Sequence, residues 1–164
     1  MLTALLTIWI AAAAPPAADS VGVNAFLWYE PAARTAHLQV AAALDGNNGG
    51  MNFNGASNGG ATITVPAGWK VRLAFVNRDA VPHSAIIIAG QPPVPAIPET
   101  PAFGGAYTTG LTAGLFTDQR DELNFTASPA GQYILACGVP GHGASGMWIR
   151  FVVSSNAKTP AYTP

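Results

Sequence analysis

Residues 137–148 read CGVPGHGASGMW. The thiol of Cys137 closes an apolar run that starts at Tyr133, an imidazole follows at His142, and a thioether at Met147 opens the next apolar run, which continues to Val153. Two such runs joined by Gly138 to Gly146 predict neighbouring antiparallel strands, because Gly and Pro break extended structure and apolar residues sustain it. A loop of that kind folds back on itself, so three side chains at this spacing can point at one centre. A fourth donor has to come from elsewhere. His83 is suited to it, lying in Val81-Pro82-His83-Ser84 just ahead of a further apolar run.

Working outward, the same alternation predicts strands along the chain. Ser84 to Ala89 reads as buried, Ala61 to Val65 alternates, and after the turn Pro66 to Gly68 the side chains of Val71, Leu73 and Phe75 face inward between Lys70, Arg72 and Asn77. Leu123 to Ala127 adds another strand, while Asp19 to Glu30 is too short and mixed to assign. Over Pro31 to Leu44 two signals compete. Its alanines and Pro31 favour a helix, but Leu38, Val40, Ala42 and Leu44 share one face of a strand, with His37 and Gln39 on the other, and strand is the reading adopted. Asp45 to Gly60, dense in Asn and Gly, predicts turns around at most a brief extended piece at Met51 to Asn54. The Pro- and Gly-rich span 90–114 predicts a surface excursion with little regular structure. With 18 Gly and 14 Pro among these short runs, an all-β sandwich or barrel fits best.

Composition narrows the function. Apolar residues make up 49% and charged residues 9%, with seven Lys+Arg against eight Asp+Glu, so no field exists to steer a nucleic acid. Met1 to Ala14 is apolar apart from Thr3 and Thr7, and Pro15 and Pro16 follow. That run is short for a bilayer span and is similar to a secretory signal, with small residues at Ala12 and Ala14 or Ala17 and Ala18 for cleavage. No Lys or Arg precedes Arg34, so a retained N-terminal membrane anchor is the alternative. The expected division is a leader over 1–18 and one domain over 19–164, carrying the excursion 90–114 and a short C-terminal tail. Export to the periplasm or the outer face of the cytoplasmic membrane follows. Cys137 is the only cysteine, which excludes an internal disulfide.

One thiolate, two imidazoles and a thioether are the soft and borderline donors of a type 1 copper site, in which two His and one Cys form a plane and Met sits on the axis. Zinc gains little from a thioether, an iron–sulfur cluster needs more thiols, and a thiolate-bridged copper pair needs at least two cysteines. One copper ion, cycling between Cu(I) and Cu(II), is the expected cofactor. Of three histidines only His37 then remains, too few for a second, open copper, so the expectation is a substrate-free electron carrier with no catalytic residues. A copper delivery protein is the alternative, and a copper oxidoreductase a weaker one. His37 reads as a solvent-facing strand residue, Met51 as loop packing, and Trp69 and Trp148 as core or rim aromatics. Asp45 to Gly49 lacks the Glu that closes a calcium loop, and the sequon Asn124-Phe125-Thr126 falls inside a predicted strand.

The Cys-x4-His-x4-Met loop, the upstream Pro-His-Ser, and the segments NFNG, NGGATITVPAGW, VPHSAIII and ACGVPGHGASGMW together resemble the sulfocyanin family of blue copper proteins, with rusticyanin a more distant relative. The resemblance covers about Val40 to Val153. It implies a Greek-key cupredoxin sandwich, a high-potential copper, and a monomer that carries single electrons in a respiratory chain to a redox partner such as a cytochrome or terminal oxidase. Within it, His83, Cys137, His142 and Met147 take the ligand positions. Ser84 takes the position that links the two ligand loops, its hydroxyl reaching the backbone near Cys137 or Gly138. Pro82, lacking an N–H, has no hydrogen bond to donate from the His83 loop. The uncharged run around His142, Val139-Pro140-Gly141 and Gly143-Ala144, is the expected docking patch.

Overall fold

The computed structural model describes residues 21–164, so the leader expected over 1–18 lies outside the described residues. Among the described residues ten strands form: β1 (Val21–Asn24), β2 (Leu27–Glu30), β3 (Thr35–Ala42), β4 (Thr62–Pro66), β5 (Trp69–Asn77), β6 (Ile86–Ala89), β7 (Arg120–Ala127), β8 (Gly131–Ala136), β9 (Trp148–Ser154) and β10 (Ala161–Thr163). They make two five-stranded sheets, one ordered β1-β2-β3-β5-β7 and the other β10-β4-β9-β8-β6. From β3 to β8 every connection crosses from one sheet to the other, the Greek-key route through a sandwich. Two pairings, β3 with β5 and β4 with β9, are parallel and the rest antiparallel.

Period-2 alternation decides what the sandwich buries. Leu38, Val40 and Ala42 of β3, Val71, Leu73 and Phe75 of β5, and Leu123, Phe125 and Ala127 of β7 face Ile63 and Val65 of β4, Leu135 of β8, and Ile149, Phe151 and Val153 of β9 in one core. Each of the larger of these side chains contributes about 1.5–3 kcal/mol when fully buried. Beyond a turn at 31–34 the stretch is a strand over Thr35–Ala42, with burial of the alternate positions outweighing alanine's helical preference; Leu44, expected on the inward face, lies past the strand end and is exposed because the backbone turns at Ala43. The ambiguous stretch before Glu30 is the hairpin β1–β2. The Asn-rich segment holds a 3-10 turn at Asn47–Gly50 and bridges from Phe53 to Ala42 and Ala56. In the tail, β10 pairs with β4 over three residues that no sequence pattern announces.

The excursion over 90–114 carries no strand, as expected, but it is not merely superficial. Ile86, Ile88, Ile134, Ala136 and Trp148, on the outer face of the second sheet, form a smaller apolar cluster closed from outside by Val94 and Leu111. Phe103 enters the main core and stacks on Phe125 at a centroid distance of 5.3 Å. Hydrogen bonds Ala102 N–H to Ile87 O (2.7 Å), Ile87 N–H to Ala106 O (2.9 Å) and Thr108 N–H to Ala85 O (2.9 Å) occupy the otherwise open edge of β6.

Candidate metal centre

The alternation that builds the core also delivers the donors. His83, Ala85 and Ile87 lie on one parity of the segment that leads into β6, and Leu135 and Cys137, and Met147 and Ile149, continue the inward rows of β8 and β9 beyond the strand ends. Cys137 and Met147 are fully buried, His83 is 1% exposed, and Cys137 N–H donates to Met147 O at 3.1 Å, holding those two residues opposite each other. His142 comes from the loop between them and is partly exposed. That loop is fastened to itself by Ser145 N–H to Gly141 O (2.9 Å), Gly146 N–H to Gly143 O (3.0 Å) and Met147 N–H to His142 O (3.0 Å).

His83, Cys137 and His142 are grouped so that one donor atom from each lies within 4.8 Å of the others. His83 Nδ1 and His142 Nδ1 are 3.2 Å apart, and Cys137 Sγ is 4.0 Å from the first and 3.6 Å from the second. The point equidistant from these three atoms lies about 2.1 Å from each, within the roughly 2.0–2.3 Å of metal–nitrogen and metal–thiolate bonds. Two nitrogens and one sulfur in such a triangle, with the Met147 residue buried alongside, suit copper in donor type and in size. Burial pushes the Cys137 thiol up, against the N–H groups of Ser84 and Val139 and the Ser84 hydroxyl, so a stable thiolate here calls for a neighbouring cation. Burial and the adjacent His83 hold His142 below the usual imidazole range, which keeps its ring neutral and its lone pair free.

Around the donors, Ser84 ties two loops. Its N–H points at Cys137 Sγ (3.4 Å), and its hydroxyl accepts from Gly138 N–H (2.9 Å) while donating to Leu111 O (2.7 Å). Pro82 precedes the bridge between His83 and Leu115 and packs on Gly114, where a Cβ would come within 2.8 Å of the Pro82 side chain. Gly138 has no room for a Cβ beside Leu111, and at Gly143 one would meet Val94 at 2.7 Å, so the excursion presses on the ligand loop from outside. Ala96 O accepts from Gly141 N–H at 2.7 Å. From the opposite side, Asn48 Nδ2 donates to Ser145 O (3.0 Å), Asn58 N–H to Gly146 O (2.8 Å) and Gly59 N–H to Trp148 O (3.0 Å).

Sequence reasoning missed Asn48, Leu111 and also Asp79, whose Oδ2 lies 3.1 Å from His83 Nε2. The expected apolar patch is present in part. Pro140 and Ala144 are exposed and Val139 half-buried, but Gly143 is buried, and Val81 and Phe116, 48% and 63% exposed, flank His83 and Leu115. His37 differs from its expected role: it lies on the outer face of β3, yet its ring stacks on Trp28 (centroids 5.1 Å apart) and Nε2 meets Glu30 Oε1 at 2.9 Å. The β2–β3 pairing sets Trp28 directly across from His37, which supplies the shelter that a lone strand residue would lack.

A family model described as the Sulfocyanin (SoxE) domain matches residues 22–163. The chain is 33% identical over 139 residues to sulfocyanin of Sulfolobus acidocaldarius, covering 80% of this chain and 70% of that protein. It is 32% identical over 123 residues to rusticyanin of Acidithiobacillus ferrooxidans, covering 73% of this chain and 64% of the relative. Among solved structures, reduced rusticyanin superposes with a TM-score of 0.57 at 26% identity, over 74% of this chain and 80% of that one. Auracyanin B, at 24% identity and a TM-score of 0.53 over 72% and 88% of the two chains, shares the cupredoxin fold.

Proposed function

Because the chain belongs to the sulfocyanin family, we propose that His83, Cys137, His142 and Met147 hold one copper ion and that the protein shuttles single electrons in an extracytoplasmic respiratory chain. It is a blue copper electron-transfer protein with a type 1 site, and not an enzyme. The observation that carries the ligand assignment is the triangle of Nδ1, Nδ1 and Sγ atoms at 3.2–4.0 Å. The copper supplies a one-electron couple between Cu(I) and Cu(II). Everything else is the work of the chain. Cys137 and Met147, just beyond the ends of paired strands, cannot rearrange without disturbing the core, and His142 sits in a loop braced from outside, so little reorganisation accompanies each transfer. The Ser84 N–H directed at Cys137 Sγ disperses negative charge on the sulfur, and the buried Met147 and apolar surroundings disfavour the more highly charged metal, which raises the potential.

His142 gives the electron its way out, its ring reaching the surface among Val139, Pro140 and Ala144. With a net charge of −1 and few charged residues, docking on a redox protein such as a cytochrome or terminal oxidase rests on apolar contact more than on steering. Residues 19–164 make up the cupredoxin domain in this reading, and 1–18 serve as signal or anchor, placing it in the periplasm or on the outer face of the cytoplasmic membrane. Voltammetry of the full chain with one equivalent of copper tests the assignment. A reversible one-electron wave from an intensely coloured oxidised form is expected. Colourless copper(I) handed on to an acceptor protein without any such wave would instead identify a delivery protein.

A further inference from the structure

His83 presents two ring nitrogens to two different neighbours. Nδ1 faces Cys137 Sγ and His142 Nδ1, while Nε2 lies 3.1 Å from Asp79 Oδ2. A carboxylate only accepts hydrogen bonds, so this contact places the ring proton on Nε2 and leaves the Nδ1 lone pair aimed at the other donors. Asp79 is itself held from several sides. Its N–H donates to Asn77 Oδ1 (2.9 Å) and its carbonyl accepts from Thr117 Oγ1 (2.8 Å). Asn77, fully buried, also donates from Nδ2 to Val81 O and Leu115 O, both at 2.9 Å, locking the turn that joins Asp79 to His83. Gly50 packs on the carboxylate so closely that a Cβ would fall 2.9 Å from Oδ2. A side chain seated this firmly against one histidine, and only 26% exposed, differs from an ordinary surface carboxylate.

We propose that Asp79 is a positioning residue that fixes the tautomer of His83 and, by setting a negative charge across the ring from the metal, lowers the reduction potential below what the apolar surroundings would give. This rests on the copper reading above. A hydrogen-bonded anion makes an imidazole a stronger donor and favours the more highly charged state of whatever the ring binds. His142 receives no carboxylate contact of this kind among the described residues, so the two imidazoles are electronically unequal: one backed by an anion, the other by solvent.

Three variants of the full chain test it: Asp79→Asn, which keeps an acceptor but removes the charge, Asp79→Ala, which removes both, and Asp118→Asn, which neutralises an exposed carboxylate paired with Arg78 in the neighbouring loop. At a fixed applied potential and pH, Asp79→Asn is expected to lower the oxidised-to-reduced ratio about tenfold, equivalent to a rise of about 59 mV for one electron, with the visible band kept. Asp118→Asn should stay within about twofold of the parent. In copper-free protein, nitrogen NMR should find His83 protonated at Nε2 in the parent and in mixed tautomers in Asp79→Ala. A ratio unchanged in Asp79→Asn, or shifted equally by Asp118→Asn, overturns the inference while the parent remains blue. A parent that never turns blue overturns the copper reading instead.

Discussion

The two sheets share an interior but not an exterior. On the β1-β2-β3-β5-β7 sheet the outer face is wet: Gln39, Lys70, Arg72 and Asn124 are exposed, and the His37–Glu30 pair stacks beside Trp28. On the β10-β4-β9-β8-β6 sheet, Ile86, Ile134, Ala136 and Trp148 are covered by the excursion through Val94 and Leu111. The proposed metal donors lie at the ends of this second sheet's covered strands and in the loops beyond them. A loop carrying three donors in twelve residues has little core of its own, and it keeps its geometry here because Val94, Ala96 and Leu111 brace it from one side and Asn48, Asn58 and Gly59 from the other. The comparison teaches that the shared interior supplies stability and seats Cys137 and Met147, while the loop between them takes its shape from the outer bracing.

Substitutions can break that separation or sharpen it. The largest effect on stability should come from Phe125→Ala in the first sheet, which empties a site lined by Phe103 and Phe151 and should cost about 3–5 kcal/mol in denaturant unfolding. The visible band of the folded fraction should not move, since no donor rests on that ring. Gly138→Ala acts on the outer bracing. Its methyl group would meet the Leu111 side chain and lie 3.0 Å from Leu111 O, so a loss of about 1–3 kcal/mol is expected together with a displaced copper band. Ser84→Ala removes the hydroxyl that joins Gly138 to Leu111 and should cost about 1 kcal/mol with a shifted potential. Smallest of all, His37→Ala should change stability by no more than about 1 kcal/mol and leave the potential alone, as suits one hydrogen-bonded polar pair on a wet face. A potential moved by His37→Ala, or a Gly138→Ala protein with unaltered colour, would dissolve the distinction.

Much of this was legible in the sequence because the relevant patterns are local. Cys137, His142 and Met147 share one loop, His83 is marked by Pro-His-Ser, and the inward rows of β3, β5 and β7 follow directly from alternation. What stayed hidden depends on partners far away in the chain. Ser84 meets Leu111 across 27 residues and Asn48 meets Ser145 across 97, and neither pair has a spacing that a single sequence reveals. Asp79 is only four positions from His83, but its role depends on how Asn77 folds the intervening turn. The Pro and Gly content of the excursion marks it as surface, which describes its backbone but not Val94, Phe103 and Leu111, apolar residues too far apart to show a period. Nor could three residues of β10 announce a strand that forms by pairing with the edge of β4.

The central claim is that Cys137 binds the copper as a thiolate within the triangle completed by His83 and His142. The most direct test is the visible spectrum of the full chain and of Cys137→Ser, each with one equivalent of Cu(II). Serine keeps the shape and a donor atom but not the sulfur proposed to give the colour, so the parent should be intensely coloured and the variant should lose that absorption even where some copper still binds. A variant that stays blue or green would contradict the account.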